Sequence, residues 1–202
     1  AWLVIKALYR VEIRGVEQHV PDEGAAIVVC NHVSFMDALL LAGAVPRPIR
    51  FVMYYKIYDV PVLNLAFRAA RAIPIAGAKE DPELMQRAFD QIDAALANGE
   101  LVGIFPEGGL TRDGEIAPFR PGVERALERR PVPVVPLALR GMWASMWSRR
   151  NAVPGNTWLD RMRLPRRFRA RIEIVADAPI PTEHASAAGL EAKVRELRGE
   201  RA

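Results

Sequence analysis

The chain alternates short apolar runs with stretches whose apolar residues recur every three or four positions. Ala25 to Cys30 (AAIVVC) is a continuous apolar run, which predicts a strand buried on both faces. Ile49 to Met53, Ala72 to Ala76, Leu101 to Phe105 and Val132 to Leu139 read the same way. Arg10-Val11-Glu12-Ile13-Arg14 and Arg171-Ile172-Glu173-Ile174-Val175 instead alternate polar with apolar. That alternation predicts half-exposed strands, the second of them at a sheet edge. Asp81, Pro82 and Glu83 make a helix start: a cap residue, a first-turn proline and a first-turn acid. Leu84, Ala88, Ile92, Ala95 and Leu96 follow near helical spacing, and Asn98-Gly99 supplies the stop. Ser34 to Gly43 and Pro121 to Arg129 are further helices, and Ala185 to Arg198 predicts a surface helix. Strands alternating with helices imply an α/β layer fold, with a mostly parallel central sheet flanked by helices. Residues 151–170, rich in Arg, Pro and Gly, show no period and read as a loop or flap.

Composition narrows the class. At 202 residues the chain fits one domain whose core needs no disulfide or metal staple. Its one cysteine, Cys30, excludes a disulfide framework and a cysteine-rich zinc site, and three histidines argue against a histidine-rich one. No apolar run approaches the ~18 residues of a membrane span. The chain opens mid-pattern at Ala1-Trp2-Leu3-Val4-Ile5, with no initiator Met and no signal-peptide layout. The expectation is a single domain, 1–202, excised from a longer membrane protein. Net charge is only +4, but residues 140–171 carry nine arginines against one acid, Asp160. Such asymmetry points to a phosphate-bearing partner or, more plainly, to a solvated basic surface.

Two stretches carry candidate chemistry. Cys30-Asn31-His32-Val33-Ser34-Phe35-Met36-Asp37 leaves a buried strand and enters a helix. Groups at the carboxyl ends of strands line the crevice where open α/β sheets bind ligands, so His32 is well placed as a general base. Asp37, five residues on, can accept the other imidazole N–H and hold the tautomer, as a triad carboxylate does. The same residues also read as a capping box, with Ser34 as the cap and His32 a mere turn residue. Spacing alone leaves both readings open. Ser34 lacks the G-x-S-x-G elbow of a nucleophile. The second stretch, Phe105-Pro106-Glu107-Gly108-Gly109, again follows an apolar strand and, taken alone, is a plain turn. Two further clusters are ambiguous: Met142-Trp143 with Met146-Trp147 as core or membrane-facing residues, and Tyr54, Tyr55 and Tyr58 as packing or an acyl pocket.

Taken together, the stretches say more. His-x4-Asp, followed about 70 residues later by Phe-Pro-Glu-Gly, resembles the glycerolipid acyltransferase family. The likeness runs from about Tyr9 to Arg140, with Asn31 to Asp37 as the first family block and Phe105 to Gly108 as the third. Val132-Pro133-Val134-Val135-Pro136 is similar to the fourth. The resemblance implies transfer of a fatty acyl group from a coenzyme A or acyl-carrier-protein thioester to the glycerol hydroxyl of a lysophospholipid. It makes His32 the base and Asp37 its orienter. Asn31, Ser34, Phe105, Pro106, Glu107, Gly108 and Gly109 become substrate-site residues. It implies no cofactor beyond the thioester co-substrate, no nucleic-acid partner, and a membrane-associated protein at the cytoplasmic face of a bacterial inner membrane.

The departures from the family pattern matter for the acceptor. The arginine that usually closes the second block is missing: Gly77 follows Ile73-Pro74-Ile75-Ala76, with Lys79 two places on. Gly109 and Leu110 stand where the third block usually continues as Thr-Arg, and the next arginine is Arg112. Lys79 and Arg112 are therefore the candidate phosphate contacts. The pattern is similar to domains that remodel lysophosphatidylethanolamine and related lipids, often fused behind a transporter. Two competing functions remain: a non-catalytic anionic-lipid or phosphate binder resting on the arginines of 161–171, and a lipid ester hydrolase using the same His-Asp pair. The arginine-rich segment, with Met162, Leu164 and Phe168, is the expected contact with an anionic membrane surface.

Overall fold

The computed structural model describes residues 2–58, 61–145 and 169–199. A seven-stranded sheet is ordered β1-β7-β6-β2-β5-β3-β4. Its strands are β1 (Tyr9–Arg14), β2 (Ala26–Val29), β3 (Ile49–Tyr54), β4 (Ile73–Ile75), β5 (Leu101–Ile104), β6 (Val134–Arg140) and β7 (Ala170–Ala176). All neighbours run parallel except β6 and β7, which are antiparallel. The helices are α1 (Trp2–Leu8), α2 (Val16–His19), α3 (Asp37–Ala44), α4 (Tyr55–Tyr58), α5 (Pro61–Ala69), α6 (Pro82–Ala97), α7 (Gly122–Arg129) and α8 (Ala187–Arg198).

The expected mostly parallel α/β layer fold is therefore present, and the central strand shows why the apolar runs read as they do. Ala26 and Val28 of β2 point into one buried cluster with Leu40, Leu41, Leu137 and Ile172. Ile27 and Val29 point into the other, with Ala88, Ile92, Val123 and Leu190. A strand covered on both faces cannot alternate. The α6 start behaves as its residues dictate: the Asp81 side chain accepts a 2.8 Å hydrogen bond from the Leu84 N–H, and Pro82 opens the helix.

Three expectations need correction. First, β7 is an inner strand, between β1 and β6, and β1 takes the edge. Its alternation reports one polar face: Ile172 and Ile174 are buried, while Arg171 and Glu173 form ion pairs with neighbours. Alternation measures burial of a face and is blind to hydrogen-bond partners at the strand's sides. Second, the helix expected from Ser34 begins at Asp37, because Ser34 and the residues before it are drawn into the turn described below. Third, α8 is more than a surface helix: Leu190, Val194 and Leu197 are buried against the sheet. Met142 lies in a 3-10 turn, fully buried in the core, with Trp143 packed against the same cluster. Met146, Trp147, Tyr58's side chain and the flap residues 151–168 lie outside the described residues.

Candidate active site

The site is built at the carboxyl end of β2, the middle strand of the sheet. Asn31 is buried and anchors the turn to β6: its Nδ2 donates to the Leu139 carbonyl at 3.1 Å, and its Oδ1 accepts from the Leu139 N–H at 2.8 Å. Both faces of the amide are engaged in this way, so Asn31 holds backbone rather than reaching into open space. The next residue, His32, keeps 18% of its side chain exposed, whereas Asp37 is fully buried. His32 Nδ1 lies 3.0 Å from Asp37 Oδ2. That same oxygen accepts the N–H groups of Val33 at 2.6 Å and Ser34 at 2.8 Å.

Contacts expected from both readings occur together, but Ser34 is not the helix cap: that position is Met36, with no side-chain cap bond. Asp37 does reach back to the backbone at the helix entrance, as a capping residue would, and it holds the imidazole with the same atom. An oxygen already accepting two backbone N–H groups favours the His32 tautomer with its proton on Nδ1, which leaves the Nε2 lone pair for a substrate proton. Ser34 is buried and its Oγ accepts from the Met36 N–H at 3.2 Å, a positional role. Cys30 is buried too, and burial pushes its thiol well above the usual range, with Asp37 and Glu107 adding to the effect. Of the titratable side chains in this turn, only the imidazole is partly exposed.

The end of β5 supplies the walls. The Phe105 ring stacks on His32, with centroids 4.0 Å apart and planes 15° from parallel. Phe51 of β3 continues the stack behind it at 5.9 Å. Gly103 makes room for this: a β-carbon there would come within 2.6 Å of the Phe51 ring. Pro106 and Glu107 are buried. Glu107 Oε1 accepts the His32 N–H at 2.6 Å and Oε2 accepts the Ala117 N–H at 2.8 Å. Burial raises its carboxyl above the ordinary value, the Ala117 and His32 N–H groups pull it down, and Asp37 adds to the rise. Both Glu107 oxygens thus hold the histidine turn, while the residue also borders the depression described below. The Thr111 N–H donates to the His32 carbonyl at 2.9 Å, so the histidine backbone is held on both sides.

Gly108 has φ +69°, a conformation that favours glycine, and its face is covered by Arg120. Gly108, Gly109, Arg112 and Arg120 line a depression of about 510 Å³ beside Glu107. Arg112 is exposed there. Lys79 is exposed in the turn after β4, where the Glu80 N–H closes onto the Gly77 carbonyl. The neighbouring Glu80 accepts hydrogen bonds from Tyr54 and Tyr55 and pairs with Lys56 at 2.9 Å. Those two tyrosines thus have engaged hydroxyls at the surface. Arg120, Phe51 and Gly103 were not among the candidates read from the sequence. Phe51 and Gly103 carry no motif, and only cross-strand pairing of β3 with β5 brings them together.

Comparison with known proteins decides the family. The acyltransferase family model matches residues 10–140, which contain every hydrogen bond of the His32 turn given above. The chain belongs to the acyltransferase family. It is 28% identical over 141 residues to the chloroplastic 1-acyl-sn-glycerol-3-phosphate acyltransferase BAT2 of Brassica napus, covering 70% of this chain and 40% of that protein. It is 24% identical over 126 residues to the 1-acyl-sn-glycerol-3-phosphate acyltransferase of Bacillus subtilis, covering 62% and 60%. The chain thus spans about 40% of the length of the plant relative it matches. The fold is shared with the crystal structure of the 1-acyl-sn-glycerophosphate (LPA) acyltransferase PlsC from Thermotoga maritima. That match has a TM-score of 0.68 and 22% identity over 95% of this chain and 70% of that one.

Proposed function

We propose that the chain is the catalytic domain of an O-acyltransferase acting on a 1-acylglycerol phosphate. The acyl donor is a thioester of coenzyme A or acyl-carrier protein. The observation that carries this reading is the His32–Asp37 pair at the end of the central strand, with Nε2 as its basic nitrogen. Nε2 takes the proton of the glycerol hydroxyl as that oxygen attacks the thioester carbonyl. The tetrahedral intermediate collapses with loss of the thiol, which leaves with the proton returned by the imidazolium. No acyl-enzyme forms, because the nearby Ser34 and Cys30 are buried. The names of the relatives support a phosphomonoester acceptor over the phosphodiester lysophosphatidylethanolamine. Arg112 and Lys79 are exposed cations suited to meeting that phosphate.

The same reading places the protein at a membrane surface, on the cytoplasmic side where acyl thioesters are made. Among the described residues no helix is long and apolar enough to cross a membrane. Phe35 (66% exposed) and Leu39 (46%) flank Asp37, and they suit contact with the apolar part of a lipid interface. Of the arginine-rich segment, Arg140 and Arg171 are engaged with Glu173 and Glu12, and residues 146–168 lie outside the described residues.

The test supplies radiolabelled acyl thioester with and without a panel of lysolipids. Label moving onto a lysolipid supports the transferase, release of free fatty acid alone would make the chain a hydrolase, and no turnover would make it a binder. His32→Ala should lose at least ~10²–10⁴-fold in kcat at unchanged melting temperature, the usual contribution of a general base. Near-normal turnover in that variant would end this assignment.

A further inference from the structure

Most arginines of the described chain already have acidic or carbonyl partners: Arg14 with Glu12, Arg129 with Asp90, Arg130 with Asp93, Arg198 with Glu115, Arg47 with three carbonyls. Arg120 departs from that habit. Its backbone N–H donates to the Pro106 carbonyl at 2.9 Å, which pins the residue to the Phe-Pro-Glu-Gly turn. Its side chain lies across Gly108: a β-carbon at that glycine would come within 2.7 Å of Arg120 Nε and 2.8 Å of Cζ. Among the described residues its guanidinium has neither an ion pair nor a hydrogen bond, and the residue is exposed. A guanidinium lying over a glycine backbone, with its donors unused among the described residues, offers a fork for a phosphate or carboxylate.

The surroundings decide between a loose surface charge and a binding group. Arg112 shares the depression with Arg120 and is likewise unpaired among the described residues. Three acids also line it, and each is engaged elsewhere. Glu107 holds the His32 and Ala117 N–H groups, Asp113 accepts from Thr111 Oγ1 and the Glu115 N–H, and Glu115 pairs with Arg198. The depression adjoins the reacting histidine through a single residue, since Glu107 both lines it and accepts the His32 N–H.

We propose that Arg120, together with Arg112, forms the phosphate clamp for the acceptor's phosphomonoester. This rests on the acyltransferase reading given above and deepens it. Phosphate is met by a residue thirteen positions past Glu107, brought back to the Phe-Pro-Glu-Gly turn by the fold. The glycine at 108 is required because the clamp's stem crosses it.

The experiment measures steady-state kinetics with two acceptors of one chain length, a 1-acylglycerol 3-phosphate and the neutral monoacylglycerol. A charge-assisted contact is worth about 10- to 100-fold in affinity. Arg120→Ala should raise KM for the phosphorylated acceptor by that factor, leave KM for the thioester within about twofold, and leave the neutral acceptor unaffected. Arg120→Lys should recover part of the loss. If Arg120 only props the turn, both acceptors suffer alike and kcat falls with them, which overturns the proposal. A rise in the thioester's KM instead would give the clamp to the donor's phosphates and also overturns it. Should the wild type acylate no lysolipid, the function reading fails, and calorimetric titration with glycerol 3-phosphate still judges the clamp. Binding lost in Arg120→Ala supports it; equal binding in both proteins, or none in either, refutes it. Arg120→Gln, which keeps the stem packed on Gly108, replaces the alanine variant if that one does not fold.

Discussion

Two turns leave the sheet side by side, one after β2 and one after β5, and each begins with a titratable residue at a strand tip. Position alone would make them equals. The first leaves His32 partly exposed, with one ring nitrogen held and the other available. The second turns Glu107 inward, where both carboxylate oxygens take backbone N–H groups. The difference follows from hydrogen-bond demand. The His32 N–H and the Ala117 N–H have no strand partner beyond the sheet's end, and leaving a part-buried N–H unmatched is costly. A carboxylate with two acceptor atoms answers both at once. One turn thus leaves an imidazole partly open and its neighbour holds that turn still, and the strand-tip rule identifies the region without telling the two apart.

The largest effect is expected where the presenting turn is altered with its frame intact. Asp37→Asn retains an oxygen able to accept from Val33, Ser34 and His32, but places an amide NH2 where the buried Oδ1, with no partner among the described residues, now sits. Activity should fall by orders of magnitude, as when a triad carboxylate becomes its amide. Stability should fall by only ~1–3 kcal/mol. Rate measurements beside a urea titration separate the two. A loss of activity no larger than the unfolded fraction explains would reduce Asp37 to a cap.

The holding turn should fail the other way round. Glu107→Gln forces one of the two N–H groups to face an amide NH2, at a cost of ~1–3 kcal/mol. The melting temperature should drop, while kcat at a temperature where the variant stays folded should change far less than in Asp37→Asn. A full-strength loss of kcat in a folded Glu107→Gln protein would mean that Glu107 touches the reaction itself.

The smallest effect is in the acid range. Burial holds the Glu107 carboxyl above its ordinary value of 4.5. A carboxyl raised on folding keeps its proton in the native state while the unfolded chain releases it. Its contribution to stability is therefore complete below the unfolded pKa and is lost as pH climbs through the folded one. The stability of the wild type relative to Glu107→Gln should decline as pH rises from about 4 through the folded pKa, as chemical denaturation at several pH values would read. A rising difference would mean that the N–H donors outweigh burial.

Local chemistry was legible wherever neighbours in the chain are neighbours in space. The α6 start at Asp81-Pro82, the doubly buried run of β2 and the His32–Asp37 spacing all act within a few residues, and the structure realises each. Sequence also placed the first acyltransferase block, because His32 and Asp37 meet inside a single strand–turn–helix unit. Other features depended on contacts between distant segments. Glu107 reaching the His32 backbone spans 75 residues, and Asn31 reaching Leu139 spans 108. The inner position of β7 depended on β1 pairing with it, which alternation in either strand cannot reveal. Arg120 falls in the same class: no local pattern marks it, and only the hydrogen bond to Pro106 lays it across Gly108. Periodicity and spacing report which face of an element is buried and which near neighbours meet. Pairing order and side-chain direction across strand ends depend on where unmatched backbone groups meet, and that only the closed sheet decides.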